Sequence, residues 1–288
     1  MIYDLTDINV VKRLLSRQGF TFSKAMGQNF ITDPGVCPRI AEACGAADAD
    51  GVLEIGPGAG VLTVELAKVA KRVVSVELDP RLLPVLALTL DEYRNVEVLC
   101  RDVLKTDLSA LIKEHFADCE RVFVCANLPY YITSPVIMYL LESGCPFAGI
   151  TVMVQKEAAQ RLCAEVGSRE SGAITVAVRY RSEPELLFEV KSASFTPPPK
   201  VDSYVIRLTP RETPTVALAD EAFFFRTVRA AFSQRRKTAA NGLSSGLGLP
   251  KEKIFAALET MGLPQSTRAE TLSLEQFAQL ANALRENR

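Results

Sequence analysis

Asn127-Leu128-Pro129-Tyr130 stands directly after the apolar run Arg121–Ala126, and its residue types suit methylation of an amine. The exocyclic nitrogen of adenine is a weak nucleophile because its lone pair is delocalised into the ring. A site that activates it needs hydrogen-bond acceptors rather than a strong base. The Asn127 side-chain oxygen and the Leu128 backbone carbonyl can accept from such an amino group and favour a pyramidal nitrogen whose lone pair points at an incoming methyl. Pro129 stiffens the turn by fixing φ. Tyr130 offers a flat face for a base removed from its helix. Taken alone, Asn-x-Pro-Tyr is also a plain strand-ending turn, so its meaning rests on the residues around it.

A second constellation is Glu54-Ile-Gly56-Pro-Gly58-Ala-Gly60, between an expected strand and an expected helix, where glycines let the backbone turn sharply and approach a ligand. A dinucleotide fold is the first thought, but G-x-G-x-x-G fails: Val61 or Thr63 occupies the third glycine position. What remains is a Gly-x-Gly-x-Gly turn with an acid, Glu77, 17 residues after Gly60, suited to the two hydroxyls of a ribose. S-adenosylmethionine fits better than NAD, having ribose and adenine but no pyrophosphate. Asp102 is then an acceptor for the cofactor's adenine amino group, and the Gly56 region lies against its methionine portion.

These residues need a scaffold, and the chain alternates strand and helix from residue 51. Expected strands are 52–55, 72–76, 96–100, 121–126 and 149–154, and expected helices 61–71, 81–93 and 135–141, the pattern of a doubly wound α/β sheet. Glu54, Glu77, Asp102 and Asn127 sit near the ends of the first four strands, 23, 25 and 25 residues apart. In an open parallel sheet such positions converge on one crevice. Strands around 173–179 and 203–208 are expected to finish the sheet as an antiparallel pair. Thr209–Thr215, with two prolines, reads as a linker. Beyond it the patterns are helical only (220–241, 251–261, 273–284), giving expected domains 1–210 and 211–288, the second small and all-α. A further helix is expected over 8–18.

Composition narrows the options. The 288 residues are 48% hydrophobic and 23% charged, enough for two domains with proper cores. Seven scattered cysteines without a Cys-x-x-Cys pair imply reduced thiols in a cytosol and no zinc site. The single histidine, His115, is expected to be an ordinary surface residue, and no metal is required. No signal-peptide pattern and no uncharged apolar stretch of about 18 residues is present, so no membrane association is expected. With a net charge of −1, a nucleic-acid partner must be held by local patches.

Two such patches exist. Arg226, Arg229, Arg235, Arg236 and Lys237 occur in a run without an acid. On one continuous helix, at about 100° per residue, Arg226, Arg229, Arg236 and Lys237 share a sector beside an apolar stripe of Phe225, Val228 and Phe232. Lys12, Arg13, Arg17 and Lys24 form a second acid-free cluster. Both would position RNA through its shape and phosphates.

Together these motifs resemble the ribosomal RNA adenine N6,N6-dimethyltransferases, closest to their small-subunit (16S) branch, over nearly the whole chain. Gly27-Gln28-Asn29-Phe30 is similar to the family's amino-terminal cofactor motif, Glu54–Gly60 and Asn127–Tyr130 to its glycine and catalytic motifs, and Phe195–Ser203 to its late Phe-x-Pro-x-Pro-Lys-Val-Asp-Ser element. The resemblance implies a Rossmann-like class I S-adenosylmethionine-dependent methyltransferase fold with a small C-terminal all-α domain. It implies cofactor contacts at Gln28, Asn29, Ile31, Gly56, Gly58, Glu77, Asp102 and Asn127, and a base sandwiched between Tyr130 and Phe195, with Asn127, Leu128, Pro129, Tyr130 and Phe195 as the catalytic set. The implied activity is dimethylation of N6 on two adjacent adenosines in a 3′-terminal hairpin of small-subunit rRNA. The expected setting is an assembling 30S particle, with the enzyme a cytoplasmic monomer. Ala231–Thr238 and Arg268–Phe277 look like the small-subunit type. The chain departs from it at Ala239-Ala240-Asn241, where family members often carry another arginine. Adenine methylation of large-subunit rRNA or DNA, and a non-catalytic assembly or transcription factor on the same fold, are the alternatives.

Overall fold

The computed structural model describes residues 3–17, 29–234 and 236–286. The chain divides into two compact units, Met1–Ala159 with Pro184–Pro210, and Gln160–Glu183 with Arg211–Arg288. One crossing coincides with the boundary expected at 210/211, but the second unit also takes in Gln160–Glu183, a segment expected to lie in the first domain.

In the first unit, α1 (Ile8–Arg17) and a two-residue strand β1 (Phe30–Ile31) precede α2 (Val36–Cys44). The alternating region follows as β2 (Gly51–Ile55), α3 (Val61–Val69), β3 (Arg72–Glu77), α4 (Leu83–Thr89), β4 (Val96–Cys100), α5 (Leu108–His115), β5 (Val122–Asn127), α6 (Thr133–Glu142) and β6 (Phe147–Gln155). The chain then passes through α7 (Lys156–Cys163), which crosses the unit boundary, and α8 (Ala173–Arg181), which belongs to the second unit, and returns to the first with β7 (Ser182–Val190), β8 (Phe195–Thr196) and β9 (Ser203–Pro210). The large sheet has the order β4-β3-β2-β5-β6-β9-β7. β2 to β6 pair in parallel, and β9 runs antiparallel to β6. β2 is buried along its whole length, as a central strand covered on both faces must be. Apolar side chains of α2 and α3 (Ile40, Leu62, Leu66) pack with sheet residues in one core. Leu14 and Leu15 of α1 pack with Val85 and Leu86 of α4 in another.

Three expectations are corrected. Ala173–Arg181 is a helix, not a strand, although it is rich in β-branched residues. Thr175 accepts from Gly172 N–H at 3.0 Å and donates to the Arg161 carbonyl at 2.6 Å, and Thr175, Val176, Ala177, Val178 and Tyr180 are all buried. Burial on several sides hides the helical period and overrides weak strand propensity. The strand beside β9 is instead β7, whose Pro184 is tolerated because β7 is an edge. His115 is buried rather than a surface residue, with Nδ1 3.0 Å from the Glu97 carboxylate.

In the second unit, 220–241 is not one helix. α9 (Glu221–Phe232) ends, and α10 (Ala239–Leu247) begins, either side of a turn; α11 (Lys251–Thr260) and α12 (Leu274–Glu286) complete the set. The Ser233 hydroxyl donates to the Ala230 carbonyl at the end of α9. Gly242 of α10 lies so close to α9 that a Cβ there would stand 2.4 Å from the Ala230 oxygen, an approach only glycine permits. Phe224, Phe225 and Tyr180 form a ring cluster, and Phe232 packs on Phe277.

Candidate active site

Strand register assembles the site. Ile55 pairs with Val76 on one side and Ala126 on the other, so the next residue on each strand, Gly56, Glu77 and Asn127, forms one row at the carboxyl edge. Gly56 N–H continues the ladder to the Val76 carbonyl at 3.0 Å. Gly56, Gly58 and Gly60 all have positive φ (72°, 61° and 94°), a run of left-handed positions that side-chain-bearing residues resist. A Cβ on Gly56 or Gly58 would meet nothing within 4 Å, so these two glycines leave open space above the turn. The four polar positions are therefore not in one row as their even spacing implied. Glu54 lies two residues below it, and Asp102 two residues beyond Cys100, the partner of Glu77.

The cavity there, about 130 Å³, is lined by Asn29, Ile31, Gly56, Gly58, Glu77, Asn127, Leu128, Pro129, Tyr130 and Phe195. Leu5, which no sequence signal marked, also contributes. Asp102 is not in this wall. Its carboxylate caps a short turn by accepting from Leu104 N–H at 3.0 Å and faces Lys105 at 3.5 Å. Gln28 lies outside the described residues. The motif at 29–31 reaches the cavity because β1 pairs with β8, Ile31 opposite Phe195. Phe195 is buried, and Tyr130 is half-buried with its hydroxyl 3.0 Å from Ser203 Oγ, a partner that sequence reasoning did not assign to it.

Two acids set the electrostatics. Glu77 accepts from Asp79 N–H at 2.8 Å and Gly58 N–H at 3.4 Å, yet burial holds its pKa above the ordinary glutamate range. Glu54 is buried and accepts from Thr63 and Ser75 hydroxyls at 2.7 and 2.6 Å. Burial pushes its pKa up to about 7, with the charge of Glu77 adding to the rise. Its Oε1 has no hydrogen-bond partner among the described residues. Glu77 stands in the cavity wall, whereas Glu54 is buried below it and is absent from the lining. The open glycine turn and the Glu77 carboxylate beside it fit S-adenosylmethionine, which brings a ribose and a positive charge. No group of three or more His, Cys, Asp or Glu among the described residues is placed to hold a metal ion.

The basic residues are arranged differently from expectation. Arg226 and Arg229 are exposed on α9, whereas Arg236 and Lys237 lie in the turn after it, so the single helical sector does not exist; Arg235 lies outside the described residues, as does Lys24. Arg236 and Lys237 instead line a cavity of about 510 Å³ within the second unit together with Arg161, Arg169 and Arg268, and with Glu170 and Glu270. Arg161 and Arg169 were not expected there, because they come from the segment read as part of the first domain.

The sheet order, the glycine turn after β2, the acid ending β3 and the Asn-Leu-Pro-Tyr turn after β5 define a class I S-adenosylmethionine-dependent methyltransferase. The family model for ribosomal RNA adenine dimethylases matches residues 19–286, and the chain belongs to that family. It is 48% identical to the ribosomal RNA small subunit methyltransferase A of Bacillus licheniformis over 278 residues, covering 96% of this chain and 95% of that protein. Identity to the protein of the same name from Geobacillus thermodenitrificans is also 48%, covering 98% and 97%. Among solved structures, a dimethyladenosine transferase from Plasmodium falciparum superposes with a TM-score of 0.70 at 29% identity, covering 88% of this chain and 96% of that one. The 23S rRNA methyltransferase ErmE gives 0.65 at 29%, covering 89% and 100%. No helix among the described residues is long and apolar enough to cross a membrane.

Proposed function

We propose that this enzyme dimethylates N6 of two adjacent adenosines in a 3′-terminal hairpin of 16S rRNA, acting as a cytoplasmic monomer on an assembling small subunit. The observation that carries the reading is the single cavity joining Gly56, Glu77, Asn127, Leu128, Tyr130 and Phe195. The names of the small-subunit relatives favour this substrate over large-subunit rRNA, and an intact Asn127–Tyr130 turn argues against a purely binding role.

S-adenosylmethionine supplies, when bound, an electrophilic methyl on a sulfonium. Gln28, Asn29, Ile31 and the glycine turn at Gly56 and Gly58 would hold its methionine end, Glu77 its ribose hydroxyls, and Asp102, from beyond the cavity wall, its adenine amino group. The target base stacks on Tyr130 with Phe195 as the second aromatic wall. The Asn127 oxygen and the Leu128 carbonyl accept from the N6 amino group and turn its lone pair outward, and Pro129 keeps the two acceptors in place. Methylation makes the amine acidic, so its proton can leave to water and no histidine base is needed.

Arg226, Arg229, Arg235, Arg236 and Lys237 contact RNA phosphates, joined by the arginines that share the cavity of Arg236. Replacing Arg236 by alanine is expected to weaken RNA binding and to reduce the slope of log affinity against log salt by roughly one. An unchanged slope in a salt titration removes this turn from the interface. The substrate assignment is tested by incubating the enzyme with labelled S-adenosylmethionine and naked DNA, purified rRNA or undermethylated small subunits, then mapping the modified base. Label confined to DNA or large-subunit rRNA overturns it.

A further inference from the structure

We propose that Ser203 is a positioning residue for the methyl transfer: through its hydrogen bond to the Tyr130 hydroxyl it sets the orientation of the ring on which the target base stacks. This rests on the reading above that Tyr130 faces the base.

The bond spans 3.0 Å between residues 73 apart in sequence. Its two ends differ in firmness. Ser203 is fully buried and opens β9, where its backbone pairs with Gln155 of β6. The preceding residue is fastened as well. The Asp202 carboxylate accepts from Ser192 N–H at 2.8 Å and from Lys191 at 3.4 Å, and its carbonyl accepts from Lys156 N–H at 3.0 Å. Tyr130, by contrast, lies in a turn between β5 and α6. The next residue in that turn, Tyr131, is 69% exposed, so the turn by itself does not hold a phenol ring inward. A fixed hydroxyl on the sheet supplies what the turn lacks.

The same segment carries the opposite wall. Phe195 is pinned through β8 to Ile31 of β1, and Ser203 stands at the other end of 195–203. One stretch of chain, anchored on strands at both ends, thus provides one aromatic face and the tether of the other, and so governs the gap between them. Losing the tether removes one hydrogen bond from a half-buried residue that stands in a turn rather than in the core. The expected penalty therefore falls on ring orientation, with little effect on folding.

The experiment compares Ser203→Ala, Tyr130→Phe, the double variant and Tyr130→Ala in the full chain. Readouts are kcat/KM on undermethylated small subunits, fluorescence of 2-aminopurine placed at the target adenosine in a hairpin RNA, cofactor Kd and Tm. Ser203→Ala and Tyr130→Phe are each expected to lower kcat/KM about five-fold, the size of one net hydrogen bond. Both should weaken the stacking signal, with the double variant no worse than either single one, cofactor Kd unchanged and Tm within a few degrees of wild type. Wild-type kcat/KM and stacking in Ser203→Ala, or an additive double variant, overturns the proposal. If Tyr130→Ala still collapses activity in that case, the base-stacking reading stands without it. A fully active Tyr130→Ala sinks that reading and the proposal together.

Discussion

Replacing Asn127 by alanine is expected to slow methyl transfer roughly 150-fold, about 3 kcal/mol of transition-state stabilisation, the scale seen when one preorganised polar group is lost at a reacting centre. The magnitude follows from position. Asn127 is the last residue of β5, with Ala126 paired to Ile55 on one side and Val152 on the other, so its backbone is fixed by two neighbouring strands. Water that fills the vacated space can accept the same hydrogen bonds, but it must be ordered during the reaction. Single-turnover rates with labelled cofactor and undermethylated subunits provide the measurement. Near wild-type turnover with unchanged cofactor affinity would falsify the role given to this residue.

A second large effect concerns Glu54 and pH. Its folded-state pKa of about 7 exceeds the ordinary 4.5, so folding favours the protonated, neutral carboxyl. The stabilisation is fully present below about pH 4.5. As pH rises from there to about 7, the unfolded chain releases its proton while the folded one retains it, and roughly 3 kcal/mol of stability is lost; above about 7 the contribution is flat. Other carboxylates titrate in the acid range, so the informative quantity is a difference. Relative to Glu54→Gln, the wild-type protein is expected to lose about 2.5 kcal/mol between pH 5 and pH 8 in urea unfolding. A pH-independent difference shows that Glu54 stays ionised in the folded protein. Adding S-adenosylmethionine should raise wild-type stability at pH 8 through binding to the folded state alone.

The local chemistry was legible from residue types. A Gly-x-Gly-x-Gly turn admits few backbone paths, and Gly56, Gly58 and Gly60 adopt the positive φ it demands. Five parallel strands were placed within a few residues because a buried strand needs a short run of apolar residues whatever surrounds it. The helix over 173–181 and the break between α9 and α10 were not legible. In the first, burial on several sides erased the period; in the second, the basic spacing suited a helix that packing against Gly242 instead folds back.

Residue order alone thus marked the short segments that carry the proposed chemistry: Asn127 with Leu128, the glycine turn at Gly56 to Gly60, and Glu77. Folding decided which segments meet. It joined Ile31 to Phe195, Tyr130 to Ser203, and Glu54 to Thr63 and Ser75, and left Asp102 outside the cavity wall. Such contacts depend on strand register and on burial shared by residues far apart in the chain. Neither leaves a trace in the spacing of neighbours, because each is fixed only when the sheet closes and water is excluded.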